Sequence, residues 1–389
     1  MTQSTLGNSQ HPEYDGLMEA EIGARVRERI KTVMPGVPQA DIARLIELPA
    51  DAFSRSLNGK RAFTAVELVE LAHLLRTSAH WFITGEEDPF AVRYAGRHTF
   101  DRDLGEHVPI DWDDEHRPLA DVALAYVQAY AGDDLPPVRR NPTSAADARK
   151  RLIEVGGEGF IRHLADHIEI AFGIDVVRIS AVSRGFAIEV LRRSVIVIDE
   201  TPNWFRENFS LAHELAHVLA GELSELGDKA CDDPAAEKRA NAFAAELLLP
   251  ASRIRSIDWM SASTSFVAEF LWETGVSTEA LGIRFGGTRT KIGPEVGAAL
   301  ALKTQALLRQ CDVPAEGELI SERMRDATQR RFPRHLVAAH RAAVSDGKLG
   351  PQTLAWMLGV DPETLEEELA PPVVSADIDW LARELGLTD

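Results

Sequence analysis

The stretch Asn208-Phe-Ser-Leu-Ala-His-Glu-Leu-Ala-His-Val-Leu-Ala-Gly221 predicts one short helix that carries a His-Glu-x-x-His pattern. Asn208 or Ser210 can cap the start of this helix, and Gly221 is placed to end it. Four apolar residues recur at helical spacing and predict a face turned toward a core: Leu211, Leu215, Val218 and Leu219.

The opposite side of this predicted helix could bind a metal ion. His213 and His217 are four residues apart, so both imidazoles leave one face of the helix and can share an ion. Glu214 lies about 100° around the helix from His213, where it can reach a metal-bound water rather than the ion. Because the five-residue pattern also arises by chance, an ordinary polar edge is the alternative. The capped helix, its apolar face and the strand-like segments before it favour the metal site.

The composition places the protein among soluble globular proteins. Its 389 residues suffice for two or three domains, and 45% of them are hydrophobic. The net charge of −19 argues against a general nucleic-acid coat protein, so a DNA contact requires a local basic region. The two cysteines, Cys231 and Cys311, suit a reducing compartment without disulfides. The sequence shows no membrane span and no signal peptide, so we expect a cytoplasmic protein without membrane contact.

The first part of the chain predicts a helical bundle that binds DNA. Residues 1–16 are polar and predict a mobile tail, and helical periodicity begins near Glu21. Two short helices separated by the break at Leu48-Pro49 match the helix-turn-helix outline within residues 17–88. Residues 21–64 hold eight Lys or Arg and five Asp or Glu, a local charge of 8 − 5 = +3. A helical bundle used only for protein contacts is the alternative.

Residues 22–85 resemble an XRE/Cro-type DNA-binding domain. The resemblance is carried by Ile22-Gly-Ala-Arg-Val-Arg, by Ser54-Arg-Ser-Leu-Asn-Gly-Lys-Arg61 and by Trp81-Phe-Ile-Thr-Gly85. It implies that the second helix of the motif enters the major groove. The DNA contacts that it implies are Gln39, Ala50, Asp51, Ser54, Arg55, Asn58, Lys60 and Arg61. Asp51 departs from the expected pattern, because an acid at this position either reads a cytosine amine or weakens binding.

Residues 89–142 predict a linker region. The segment Gly96-Arg-His-Thr-Phe-Asp-Arg-Asp-Leu-Gly-Glu-His107 mixes His with carboxylates, but its spacing matches no ligand set, which favours a polar linker over a metal site. The pattern of residues 119–130 predicts a helix.

Residues 143–289 predict a domain in which a small antiparallel sheet packs on the His-Glu-x-x-His helix. Two helices, at 145–155 and 160–172, precede three short segments rich in β-branched residues. Such an arrangement is typical of zincins, where the edge of a strand can align an extended peptide beside the metal. The predicted fold class is therefore mainly α with an α+β zincin-like domain. The N-terminal helical bundle precedes this domain, and a helical C-terminal region of unassigned role, residues 290–389, follows it.

A catalytic zinc ion requires a third protein ligand and keeps one position open for water. The next predicted helix is capped by Asp233, begins at Pro234 and ends before Pro250. Glu237 shares a face with small residues on this helix, so its carboxylate points toward a neighbour and needs a cation or partner. The rival ligands on the approach loop are Cys231, Asp232 and Asp233.

Two segments together are similar to the ImmA/IrrE-type metallopeptidase family. They are Phe209-Ser-Leu-Ala-His-Glu-Leu-Ala-His217 and Glu237-x-x-Ala-Asn-x-Phe-Ala-Ala-x-Leu-Leu-x-Pro250, and the resemblance covers roughly residues 145–250. The resemblance implies that His213, His217 and Glu237 bind Zn²⁺ and that Glu214 is the general base. It also implies cleavage of a protein partner such as a repressor, in a family often preceded by an XRE domain.

Three functions fit these features of the whole protein. The first is a DNA-binding zinc metallopeptidase that regulates transcription, for example in a stress response, by cutting a protein. The second is a transcription regulator whose zincin-like domain senses a ligand or partner without proteolysis, which the intact Glu214 disfavours. The third is a toxin–antitoxin component, which rests on family habit alone. A homodimer is a possible assembly for each.

Overall fold

The protein is described here by a computed structural model. The described residues are 12–75, 77–86, 92–95, 98–101, 106–109, 112–130, 144–225, 234–315 and 318–369. Among these residues, no helix is both long enough and apolar enough to cross a membrane.

The N-terminal helices enclose a core of their own. The five helices are α1 (Pro12–Val33), α2 (Gln39–Leu45), α3 (Ala50–Leu57), α4 (Ala65–Leu75) and α5 (Ala79–Thr84). Each contributes to one buried cluster, which includes Val26, Ile42, Phe53, Leu71 and Phe82. Helix α1 begins at Pro12 rather than near Glu21, because proline fits the first turn of a helix. Residues 12–16 are therefore helical and not part of a tail, while residues 1–11 lie outside the described residues.

Three arginines of α1 hold the ends of other helices in this bundle. Each donates a hydrogen bond to a backbone carbonyl: Arg25 to Phe82 O at 3.0 Å, Arg27 to Leu57 O, and Arg29 to Leu75 O at 3.0 Å. Because carbonyls at a helix C-terminus lack partners and carry partial negative charge, a guanidinium stabilises them. These three of the eight basic residues between 21 and 64 thus serve the packing of the bundle itself.

A five-stranded sheet lies at the centre of the following part of the chain. Its strands are β1 (Arg93–Ala95), β4 (Asp175–Ile179), β5 (Phe186–Val190), β6 (Arg193–Asp199) and β7 (Ser224–Glu225), and their order is β4-β6-β5-β1-β7. Strands β2 (His98–Asp101) and β3 (Glu106–Pro109) form a separate antiparallel pair.

The sheet is mixed, so the prediction of an antiparallel sheet is wrong for one pair of strands. Strand β6 pairs with β5 in antiparallel register and with β4 in parallel register, from Asp175↔Val195 to Ile179↔Asp199. The reason is topological. Strand β5 does not lie next to β4, and β6, which follows β5 in the chain, lies between the two. All residues of β4 and β5 are buried, as expected for strands covered on both faces.

The described residues between 89 and 142 differ from the predicted linker. Strand β1 pairs with both β5 and β7, and α6 (Trp112–Tyr130) packs its side chains into a core shared with the sheet. That core includes Leu119, Val122, Tyr126, Phe186, Ile188 and Leu336. A strand of three residues has too short a pattern to be recognised by periodicity, which explains why the sequence did not reveal it.

Helices surround the sheet and continue to the end of the described chain. Those before the sheet and beside it are α7 (Ala145–Gly156), a 3-10 helix (Phe160–His163), α8 (Leu164–Phe172), α9 (Trp204–Ala220) and α10 (Pro234–Leu248). Those that follow are α11 (Ala251–Arg255), α12 (Thr264–Thr274), α13 (Thr278–Thr288), α14 (Pro294–Leu300), α15 (Thr304–Gln310), α16 (Glu318–Ala327), α17 (Arg334–Ser345), α18 (Gln352–Leu358) and α19 (Pro362–Leu369).

The helices after residue 290 share their cores with the predicted zincin-like domain. Leu307, Leu308 and Ile320 belong to the same buried cluster as Leu215 of α9. Phe332 packs in the cluster that covers the other face of the sheet. Two buried clusters of the described residues therefore continue across the predicted boundary between residues 289 and 290, and a small third one, of Leu354, Ala355 and Leu365, lies entirely after it.

A buried ionic cluster connects β4, β6 and α17. Asp175 accepts hydrogen bonds from Arg193 at 2.9 and 3.0 Å, from Tyr126 at 2.9 Å and from His335 at 3.0 Å. Burial alone would raise the pKa of Asp175, but the bonds from His335 and Arg193 outweigh it and hold that pKa below its ordinary value.

We expect the contribution of Asp175 to stability to disappear in acid. A depressed pKa in the folded state means that the contribution is complete above the unfolded-state value of 3.8 and is lost as the pH falls through the lower, folded-state value. Urea unfolding of the wild type and Asp175→Asn should differ by about 3 kcal/mol at neutral pH. The difference should shrink below pH 3.8. If the two proteins differ in unfolding free energy by the same amount at neutral pH and below pH 3.8, this account is contradicted.

Candidate metal centre

Two packed helices bring three candidate ligands together. His213 and His217 lie on α9 and Glu237 lies on α10. The two imidazole Nε2 atoms are 3.2 Å apart, and carboxylate oxygens of Glu237 lie 3.2 Å from His213 Nε2 and 3.5 Å from His217 Nε2. Glu237 and His217 are buried and His213 is half-buried. The three side chains therefore face one small shared volume.

The local sequence explains why α9 presents these side chains. The four residues of the predicted apolar face are all buried, and Gly221 ends the helix with a left-handed φ of 69°. Both features agree with the prediction. The start does not, because Asn203 rather than Asn208 or Ser210 is the N-cap, with Trp204 and Phe205 buried in the extra turn. Asn208 instead lies inside the helix and donates to Gly275 O at 2.9 Å.

Helix α10 approaches α9 through its small residues. It begins at Pro234, as predicted, and buries Ala236, Ala240 and Ala244 along with Glu237. Small side chains allow the two helices to approach closely, which places the Glu237 carboxylate against the histidines. The rival ligands Cys231, Asp232 and Asp233 lie outside the described residues.

The donor set fits a zinc ion. Ligand atoms about 2.0–2.1 Å from one tetrahedral zinc lie about 3.3 Å from each other. The distances between the three candidate side chains, 3.2, 3.2 and 3.5 Å, agree with this spacing. Two imidazoles and one carboxylate are also the ligand types of catalytic zinc sites that keep a fourth position for water.

The far nitrogen of each imidazole has a hydrogen-bond partner. His213 Nδ1 lies 3.1 Å from Asn241 Oδ1, and His217 Nδ1 lies 2.9 Å from Glu222 Oε2. Such partners fix the ring orientation and the tautomer, leaving Nε2 free for a metal. Arg239 in turn contacts Glu222 at 2.6 Å. The bond with His217 lowers the pKa of Glu222, burial opposes this, and Arg239 lowers the pKa further.

Sequence reasoning missed these two supporting residues. Asn241 lies one turn after Glu237 on α10, and Glu222 lies just past the end of α9. The position of Glu222 next to Gly221 could have suggested it, because the turn after a helix folds back on its last turn. The approach of Asn241 to His213 depends on helix packing, which no local pattern encodes.

Substitution of Glu222 is expected to weaken metal binding without abolishing it. Loss of a carboxylate partner of a ligating histidine typically costs 10–100-fold in affinity, so Glu222→Ala should bind zinc about 10–100-fold more weakly than the wild type. Competition with a chromophoric chelator measures this. Glu154→Ala, an exposed position on α7, is the matched control. An affinity of Glu222→Ala equal to that of the control would show that Glu222 does not support His217.

Glu214 is buried beside the ligand cluster, against β5. It is only 5% exposed, it accepts a hydrogen bond from the backbone of Ala187, and its Oε2 has no partner among the described residues. Burial raises the pKa of Glu214, and the charge of Glu237 adds to this, while His213 and His217 oppose it. A carboxylate with a raised pKa is suited to accept a proton near neutral pH.

Gly185 leaves the space that Glu214 occupies. A Cβ at this glycine would lie 3.0 Å from Glu214 Cγ and 3.1 Å from its Oε1. The strand that follows, β5, is flanked by β6 on one side and β1 on the other. Strand β5, beside Glu214, is therefore an inner strand of the sheet, and the edges of the sheet are β4 and β7.

The residues predicted to contact DNA lie on and beside α3. Most of them are exposed, namely Gln39, Ala50, Asp51, Arg55, Asn58 and Lys60, while Ser54 is half-buried. Asp51 pairs with Arg55 at 3.3 Å, one helical turn away on the surface. Asp51, which departs from the family pattern, thus lies next to Arg55 and can orient its guanidinium or neutralise its charge.

Arg61 has a different environment from the other predicted DNA contacts. Its guanidinium makes two hydrogen bonds to Glu67, at 2.7 and 2.8 Å, and a third to Ser56 Oγ at 2.9 Å. The bond from Arg61 lowers the pKa of Glu67 despite partial burial. This bidentate pair fixes the loop between α3 and α4, so Arg61 has a structural partner inside the bundle.

Comparison with known proteins supports the metal centre. Residues 171–285, which are 115 of the 389, match the model of the Peptidase M78 family, described as an IrrE N-terminal-like domain. The matched segment runs from the end of α8 to α13 and contains all three candidate ligands and Glu214. Searches of curated proteins and of solved structures returned no match. The segment that carries the ligand cluster is thus similar to a metallopeptidase domain of the IrrE type, a family that implies a metal cofactor.

Proposed function

We propose that this protein is a zinc-dependent peptidase that cleaves a protein partner and binds DNA through its N-terminal bundle. One observation carries the peptidase proposal. Two imidazole nitrogens and a carboxylate lie 3.2 to 3.5 Å apart, and a buried, partly unpaired Glu214 lies beside them. A purely structural metal site has no need of such a base.

The side chains have distinct roles in this proposal. His213, His217 and Glu237 would hold the zinc ion, with Asn241 and Glu222 orienting the two rings. A bound zinc ion polarises a peptide carbonyl and acidifies water. Glu214 accepts the proton of the attacking water at Oε2 and passes it to the nitrogen of the leaving amine. Burial raises the pKa of Glu214, which makes it a stronger base toward this proton than an exposed carboxylate would be.

The peptidase proposal is tested most directly in cells, because the substrate is a protein. Wild type and Glu214→Gln are produced at equal levels, and new protein N-termini are compared by mass spectrometry. We expect at least one internal cleavage that occurs only with the wild type. Identical sets of N-termini, with zinc bound in both proteins, would favour the alternative in which the domain senses a partner without proteolysis.

The DNA-binding proposal is supported by the exposed face of α3. Arg55 lies there, exposed Lys60 follows in the loop after α3, and Arg44 adds an exposed cation near the end of α2. Side chains of the second helix of such a motif can contact base edges while neighbouring cations contact phosphates. The overall charge of −19 means that this surface has to be local and specific.

Binding to genomic DNA fragments, read by sequencing of the bound fraction, tests this surface. Replacing both Arg55 and Lys60 by Ala should abolish enrichment of specific fragments and reduce the salt dependence of binding. Lys348→Ala, on an exposed lysine far along the chain, serves as the control. Unchanged enrichment in the double variant would contradict the assignment of α3 as the DNA-contacting helix.

A further inference from the structure

The face of α9 that carries the two histidines continues toward the start of the helix. Arg206 and Phe209 come seven and four residues before His213, so both lie within about 40° of it around the helix axis. Arg206 is exposed, while Phe209 and His213 are half-buried. The three side chains therefore form one surface that leads away from the candidate metal centre.

The segment before β5 runs along one side of this surface. Arg206 Nη2 donates to Ser183 O at 2.9 Å, and a Cβ at Gly185 would lie 3.3 Å from Ser210 Cβ. Ser210 comes one helical turn before Glu214, the proposed general base. The surface thus begins where the ligands and the base lie, and a peptide bound at the metal can extend along it.

Arg206 brings a positive charge to the far end of this surface. Its hydrogen-bond acceptor, the carbonyl of Ser183, is neutral and orients the guanidinium without cancelling its charge. Within the described part of the chain, no carboxylate lies within ion-pair distance of Arg206. Because the chain as a whole carries a net charge of −19, this local cation distinguishes the approach to the site from the rest of the protein.

Phe209 makes the near end of the surface apolar. Its ring lies 6.3 Å from the ring of His213, centroid to centroid, and packs partly on the large buried cluster below. The remainder of the ring is accessible, since the residue is only half-buried. Covering it with an apolar side chain is favourable, whereas a polar side chain placed there would lose hydrogen bonds to water.

We propose that Phe209 and Arg206 select the substrate of the peptidase, an inference that rests on the function proposed above. The cleaved protein presents an apolar side chain next to the scissile bond, against Phe209. On the same side of that bond, about three residues away, it presents an acidic side chain against Arg206. The spacing follows because seven helical residues span about 10 Å and an extended peptide advances about 3.3 Å per residue.

The cleavage site supplies the first test. It is found by the cellular comparison of protein N-termini between the wild type and Glu214→Gln. Its sequence should hold an apolar residue next to the cleaved bond and an Asp or Glu about three residues away on the same side. A site without an acidic residue within about four positions would overturn the proposal.

Charge reversal on both partners tests the role of Arg206, with initial rates measured on the purified, zinc-loaded, full-length protein. Arg206→Glu should cleave about tenfold or more slowly, because repulsion replaces attraction, while Arg206→Lys should keep most of the rate. Changing the acidic substrate residue to Lys should slow the wild type and restore cleavage by Arg206→Glu. Arg255→Glu, at an exposed arginine that ends α11, is the matched control and should cleave at the wild-type rate.

A second pair of substitutions tests Phe209. Changing the apolar substrate residue to Ser should slow the wild type about tenfold, but should slow Phe209→Ala much less, because the contact is already lost. The thermal unfolding midpoint and the zinc content show whether each variant is folded. If Phe209→Ala does not fold, the charge reversal at Arg206 still decides the proposal.

The outcomes separate this inference from the function on which it rests. If no new N-terminus depends on Glu214, the peptidase proposal fails and the substrate preference fails with it. If cleavage depends on Glu214 but Arg206→Glu cleaves as fast as Arg255→Glu, the preference alone is overturned. The same holds if the Lys-substituted substrate does not restore cleavage by Arg206→Glu.

Discussion

Glu214→Gln is expected to lower the rate of peptide cleavage by about 10²–10⁴-fold, the range that general acid–base catalysis typically contributes. The substitution preserves the size of the side chain and removes its ability to accept a proton. Because Glu214 does not belong to the three-ligand cluster, the variant should keep its zinc. The backbone contact with Ala187 can also persist, since an amide oxygen accepts the same hydrogen bond.

The measurement uses the substrate that the cellular N-terminus experiment identifies, with initial rates determined by quantifying the cleaved fragment. Glu154→Gln, which removes the same charge from an exposed position of α7, is the matched control and should cleave at the wild-type rate. A rate for Glu214→Gln within a factor of two of this control, in protein shown to contain zinc, would exclude Glu214 as the general base.

Trp259→Ala is expected to lower the free energy of unfolding by about 3–5 kcal/mol, as large-to-small core substitutions of this type do. Trp259 is only 1% exposed, and its indole N–H donates to Ile254 O at 2.7 Å. Its ring contacts three others edge to face, with centroids 4.8 Å away for Phe285, 5.1 Å for Phe270 and 5.8 Å for Phe266. The alanine would leave a cavity among all three.

Urea unfolding followed by circular dichroism measures this effect. Ile283→Ala, at a residue of α13 that is 70% exposed, is the control and should change stability by less than about 0.5 kcal/mol. Because Trp259 and Leu215 of the metal-bearing helix belong to one buried cluster, zinc release should follow the same transition. A loss below about 1 kcal/mol, or release of zinc at a different urea concentration, would contradict a continuous core.

The candidate site was largely predictable because its signals are local. The spacing of His213 and His217 places them on one face of any helix, and the four apolar residues of that helix orient the face. Glu237 was reachable from sequence because a carboxylate among small residues at helical spacing has to meet a partner. These inferences need only the helical period and the chemistry of the side chains.

The parts that escaped prediction depend on long-range packing. The extra turn of α9 exists because Trp204 and Phe205 are buried there, and their burial depends on residues far along the chain. The parallel pairing of β4 with β6 and the contribution of β1 depend on topology, which short strands do not encode locally. Arg61 looks like a phosphate contact in sequence, but Glu67 lies within reach of it only once the bundle is folded.

The metal content of the purified protein tests the central claim most directly. Elemental analysis of the wild type, His213→Ala, Glu237→Ala and Glu214→Gln should show about one zinc per chain in the wild type and in Glu214→Gln, as a three-ligand site with an open position requires. His213→Ala and Glu237→Ala should contain almost none. Zinc retained by both ligand variants, or a wild type that binds none when zinc is supplied, would contradict the assignment of His213, His217 and Glu237 as a metal centre.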